Sequence, residues 1–196
     1  MAVEWHFVSY NLGRFQSVFG KASELEETAL LKVLEYEMGA DPDDELGQLA
    51  KKIAHDGIQY KGMNPREAEA LDQVLGVCLS QEGLWNELEL EQEMQEGFPH
   101  AITLEMLRKA QQANLKLEVL PVLKGGRRFR SEVGPECRYF LLERLEVPKL
   151  ANDARQVLAL PGPWSSESVP HLIMDQLIMV CEFISRKQRP MAGVLS

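Results

Sequence analysis

Apolar and polar positions alternate at the start of the chain. Val3, Trp5 and Phe7 take turns with Glu4 and His6. This is the period-two mark of a strand with one buried face, and it predicts a strand over residues 3–9. Asn11 then opens a short helical turn through Phe15, Val18 and Phe19, which Gly20 stops. Ser23 and Glu26 make a capping box. The helix behind it carries Leu30, Leu31, Val33, Leu34 and Met38 and ends at Gly39.

Two further helices have strong start signals. Asp41-Pro42 pairs an N-cap with proline at the first helical position, and Leu46, Leu49, Ala50 and Ile53 follow on one face. Asp56-Gly57 ends that helix. Asn64-Pro65 repeats the signal, ahead of a stripe of Ala68, Leu71, Leu75, Cys78 and Leu79. Residues 82–96 contain an alternating Glu87-Leu88-Glu89-Leu90-Glu91, but their residue types favour a helix, which is the expectation adopted. Gly97-Phe98-Pro99 breaks it.

In the second half, Thr103 is placed to cap a helix running to about residue 114. Leu117, Val119 and Val122 with Pro121 predict an edge strand over 115–123. Residues 124–136 read as a glycine- and arginine-rich loop, and residues 137–143 as a second firm strand. Pro148 starts a helix with Leu150, Ala154, Val157 and Leu158 on one face. Ser168 caps a long apolar helix to about residue 187, Pro190 ends it, and residues 191–196 add a short terminal strand. Strands and helices do not alternate regularly, so a doubly wound sheet is not expected. The prediction is one mostly helical α+β domain over residues 1–196, with a small sheet of three or four short strands. Pairing of the strands near residues 5 and 140 would bring the ends of the domain together.

Composition narrows the class. The 196 residues are 45% hydrophobic and 26% charged, which suits a globular chain long enough to hold a core. The net charge of −9 argues against nucleic acid, whose backbone is met by basic surface. No apolar stretch reaches spanning length and no secretory signal is visible, so no membrane association is expected. Cys78, Cys137 and Cys181 form no metal or disulfide spacing, which points to a reduced, cytoplasmic protein. Phosphate-binding loops, dinucleotide fingerprints, zinc motifs and nucleophile elbows are all missing. The sequence therefore names no catalytic residue, no metal ligand and no cofactor.

Three constellations remain. Residues 82–96 carry six glutamates and no basic residue. Glu87, Glu89, Glu91 and Glu93, with Trp85 as an aromatic anchor, could dock a basic protein partner; the alternative is a solvated helix face. Arg127, Arg128 and Arg130, beside Lys124 and two glycines, could bind an anion through their guanidinium forks; the alternative is an exposed loop that aids solubility. His171, Asp175, Glu182 and Arg186 line one stripe of the last long helix. They fit ordinary helix-surface pairs better than a metal site. His6, His55 and His100 stand in no nucleophile motif and are expected to be structural.

The opening strand followed by Tyr10, Leu12, Phe15, Val18 and Gly20 resembles a set of small bacterial α+β proteins of unknown function. Ala70, Leu71, Leu75 and Cys78, and Cys181 ahead of a terminal strand, are similar too. The resemblance covers about half the chain and consists of core positions. It implies a shared fold and carries over no active residue.

The leading expectation is a non-enzymatic bacterial binding protein, in its most specific form a toxin-neutralising, immunity-like protein with an acidic docking surface. One alternative is a hydrolase or transferase that holds an anionic small molecule at the basic loop. The other is a homo-oligomeric structural or adaptor domain.

Overall fold

The computed structural model describes residues 3–11, 13, 27–28, 30–32, 35, 39, 41, 43–56, 91–92, 97–126, 139–161 and 168–195. Within them the fold is α+β and mostly helical, with a small antiparallel sheet. Contacts gather the chain into two compact units, Met1–Ser9 with Gln92–Ser196, and Tyr10–Glu91.

In the first unit the alternating start forms strand β1 (Glu4–Ser9). Its inward positions, Trp5 and Phe7, are fully buried. Two-residue strands β2 (Glu91–Gln92) and β3 (Phe98–Pro99) both lie against β1. β4 is Tyr139–Leu142 and β5 is Met191–Leu195, and the main strand order is β2-β1-β5-β4. The two strands that stand out in the sequence therefore do not pair with each other. The terminal strand sits between them, in register Phe7↔Gly193 on one side and Phe140↔Gly193 on the other. Glu91 and Gln92 also correct the helical expectation for part of residues 82–96. The rest of that stretch lies outside the described residues.

Helix α1 of the second unit spans Glu45–Asp56. It begins later than the Asp41-Pro42 signal implies. Asp44 is the residue that caps it, accepting from the Gly47 amide at 2.8 Å, while its other oxygen accepts from the Asp41 amide at 2.9 Å. Asp41 instead closes a turn with the Asp43 amide. In the same unit Gly39 takes a left-handed φ of 63°, and its amide donates to the Glu35 carbonyl at 3.0 Å. Of the predicted element at 11–20 only Asn11 and Gly13 are described, and the one at 64–79 lies outside the described residues.

Helix α2 (His100–Gln112) starts three residues before its expected cap. Pro99 supplies the extended entry, and the His100 amide donates to the Val3 carbonyl at 2.9 Å. Thr103 is buried inside the helix with an unpartnered hydroxyl rather than capping it. The edge strand expected over 115–123 is absent. Those residues end in a 3-10 helix, Leu120–Lys124. Pro121 has no N–H to give a ladder, and the amides of Glu118, Val119 and Leu120 all donate to one oxygen of Asp153, at 2.9, 2.7 and 2.9 Å. With all three donors taken, the segment cannot serve as a strand.

Asp153 lies on α3 (Val147–Leu158), which packs along α4 (Val169–Arg186). Ser168 holds the N-cap position of α4 without a side-chain hydrogen bond, so its expected capping role is not met. The core lies between the sheet and α2, α3 and α4. Trp5, Phe7, Phe98 and Phe140 form a ring cluster there, with centroids 5.1 to 6.1 Å apart. The Trp5 indole donates to the Leu123 carbonyl at 2.8 Å, which ties the 3-10 helix to β1.

Candidate functional site

α4 is more apolar than a surface helix needs, and its hydrophobic positions exceed what one core face can bury. Met174, Leu177, Ile178, Cys181 and Ile184 face the core. Leu172, Met179 and Phe183 remain 50%, 59% and 48% exposed. With Gln176 between them they follow at intervals of four, three and four, the spacing of one face. Val169 extends the row one turn toward the N-terminus and is exposed as well. From Val169 to Phe183 the stripe is about 21 Å long at 1.5 Å per residue. The Lys187 ammonium lies 4.2 Å from the Phe183 ring centre, so the far end of the stripe already holds a cation–π contact.

Beside the stripe runs a groove of about 360 Å³ between α3 and α4, lined by Pro148, Ala151, Arg155, Glu182, Ser185 and Arg186. The Arg155 guanidinium from α3 donates to Glu182 Oε1, and Arg186 stands 3.7 Å from Glu182 Oε2. The Glu182–Arg186 pair is one the sequence predicts at i, i+4. The Arg155–Glu182 contact, across 27 residues, has no sequence signal. Ser185 spends its hydroxyl on the Cys181 carbonyl at 2.6 Å. Beneath the groove, burial pushes the Cys181 thiol up to about 12, so it is neutral at physiological pH.

His171 sits 3.5 Å from Asp175 in the expected helix pair. His55 pairs with Glu27 at 2.9 Å, and the His100 ring meets the Lys124 carbonyl at 2.9 Å. Each is held by a local partner. Lys124 is exposed at the end of the 3-10 helix, and Gly126 beyond it has a left-handed φ of 82°. Arg127, Arg128 and Arg130 lie outside the described residues, as do Trp85, Glu87, Glu89 and Glu93. Glu91 is placed only as part of β2. Among the described residues, no group of three or more His, Cys, Asp or Glu is placed to hold a metal ion. Among the same residues, no helix is long and apolar enough to cross a membrane.

Two functional-looking residues escape the sequence. Asp153 had a signal: it is a carboxylate one position from the Leu150–Ala154–Val157 stripe of its helix. Arg155 had none.

No protein-family model, curated protein or solved structure matches the chain.

Proposed function

We propose that this chain is a non-enzymatic binding protein that engages a basic protein partner, in its most specific form a toxin-neutralising, immunity-like protein of bacterial origin. The observation that carries the reading is the exposed apolar stripe of α4, Leu172, Met179 and Phe183, on a molecule of net charge −9. Isolated surface hydrophobes need no explanation, but a row of them on one helix face, broken only by Gln176, is the kind of surface that partners cover. The negative field speeds encounter with a positive molecule, and the stripe supplies contact area that holds it. In this reading Glu87, Glu89, Glu91 and Glu93 contribute to the field and Trp85 to anchoring.

The test is a pull-down by the tagged chain from its native lysate, followed by direct binding of the captured protein. The expected partner is basic and stoichiometric, and salt releases it. Met179→Ser with Phe183→Ser is expected to speed its dissociation at least about tenfold, whereas reversing the four glutamates to lysine slows its association. An empty pull-down at low salt, or a partner indifferent to both sets of changes, would overturn the proposal.

A further inference from the structure

Among the described residues, the groove between α3 and α4 carries more positive charge than its one carboxylate neutralises. Two guanidinium groups, Arg155 and Arg186, face one carboxylate, Glu182. The five donors on each guanidinium give a large excess over the two oxygens of Glu182. Among the described residues Arg155 makes one hydrogen bond, to Glu182, and Arg186 approaches the same carboxylate only at ion-pair distance. Arg186 is also the more exposed of the two, with 78% of its side chain accessible against 47%. On the same face of α3 as Arg155, the exposed Pro148 gives the groove an apolar edge, with Ala151 buried at its floor. The volume of about 360 Å³ lies within the range of small-molecule sites.

We infer that this groove is a binding site for a small organic oxyanion. A carboxylate or phosphate would take a forked contact from Arg186 and share Arg155 with Glu182. The apolar part of the ligand would rest on Pro148. Guanidinium is suited to this role because its planar donors match two oxygens at once and because it stays charged at any physiological pH. Glu182 plays two parts. It orients both arginines, and it competes with the incoming anion for them. Affinity is therefore modest in the native chain, with Kd on the order of 1 mM.

The competition gives the experiment its discriminating arm. Benzoate and inorganic phosphate are titrated separately into the full chain. Binding is read from two-dimensional NMR shifts of the Ala151 and Ser185 amides, with far-UV circular dichroism confirming the fold of each variant. Saturable shifts are expected with benzoate, and its ring on Pro148 makes it bind more tightly than phosphate. Arg155→Gln and Arg186→Gln are each expected to weaken binding about tenfold. Glu182→Gln keeps the side-chain shape and removes the competing charge, so it is expected to tighten binding about fivefold. A purely structural Arg155–Glu182 link predicts no such gain. Phosphate binding more tightly than benzoate would overturn the role given to the apolar edge. Two results would overturn the site as a whole. One is no saturable shift with either anion up to about 50 mM, in the native chain and in Glu182→Gln alike. The other is binding that survives loss of both arginines.

Discussion

Asp153 is the residue whose position decides the most. Its carboxylate is buried and accepts three consecutive backbone amides from residues 118–120. Hydrogen bonds to an ionised acceptor are stronger than neutral ones, and a buried amide left unpaired costs about 1–3 kcal/mol. Asp153→Asn keeps one acceptor oxygen but loses the charge and brings in two donors. It is expected to lower stability by about 2–3 kcal/mol, seen as a lower urea midpoint at unchanged slope. At the helix ends the sign reverses. The α4 helix closes through Gln188 at φ 58°, with the Gln188 amide donating to Ser185 and the Arg189 amide to Ile184. A left-handed conformation costs a non-glycine residue about 1–2 kcal/mol. Gln188→Gly is therefore expected to stabilise the chain by about 0.5–1 kcal/mol in the same assay, after the added freedom of the unfolded glycine is counted. Cys181 gives a pH signature. Its thiol is raised from an ordinary value of 9.0 to about 12 by burial. Between those values the unfolded chain has released the proton and the native chain still holds it. Stability from this group is thus complete below pH 9 and falls as pH rises, by up to about 1.4 kcal/mol per unit. Urea melts at stepped alkaline pH are expected to show the gap between the native chain and Cys181→Ala narrowing above pH 9. A constant gap would mean that the thiol titrates normally in the fold.

Among the elements, legibility follows the range of the interactions that make them. β1, α3 and α4 were readable because their apolar periods and proline starts are local. The 3-10 helix was not, because Leu117, Val119 and Val122 carry a strand pattern and the competing carboxylate lies 33 to 35 residues away on α3. The cap of α1 moved from Asp41 to Asp44 because two acidic residues three apart can each start a helix, and the reciprocal bonds that choose between them leave no mark in composition. Within the candidate site, the i, i+4 pairs His171–Asp175 and Glu182–Arg186 were visible and Arg155 was not. The central strand illustrates the same limit. Met191-Ala192-Gly193-Val194-Leu195 reads as a weak strand, yet it lies in the middle of the sheet, where Gly193 lets the Phe140 ring close over it. An added Cβ at Gly193 would run into the Phe140 ring. That ring is fully buried between Trp5 and Phe7, so it has nowhere to retreat. Gly193→Ala is expected to cost about 1–3 kcal/mol by overpacking. The double change Gly193→Ala with Phe140→Leu is expected to be less destabilising than the sum of its parts, which thermal unfolding of the four-member cycle would show. Additive losses would place the strain elsewhere.

At the scale of the whole chain, the sheet joins the two ends of the sequence. β1 and β5 run antiparallel with Trp5 opposite Leu195, so the start of the first strand and the end of the last lie side by side. The most central pairing of the first unit is thus its most distant one in sequence, and the fold is complete only when residues 191–195 join β1 and β4. Contacts of such long range are slow to form, because the loop entropy is lost before the pairing rewards it. A covalent link from residue 196 to residue 1 through a flexible linker would remove part of that loss from the unfolded state. The head-to-tail cyclised chain is expected to be more stable than a linear chain bearing the same linker, by about 1–3 kcal/mol, and to fold faster. Urea unfolding and stopped-flow refolding of the two forms measure both effects. A stability gain carried by slower unfolding alone would mean that β1 and β5 pair after the rate-limiting step, whereas faster folding places their pairing in the nucleus. No gain of either kind would show that the paired ends fray in solution, and the strand order β1-β5-β4 would then no longer describe how the unit is held together.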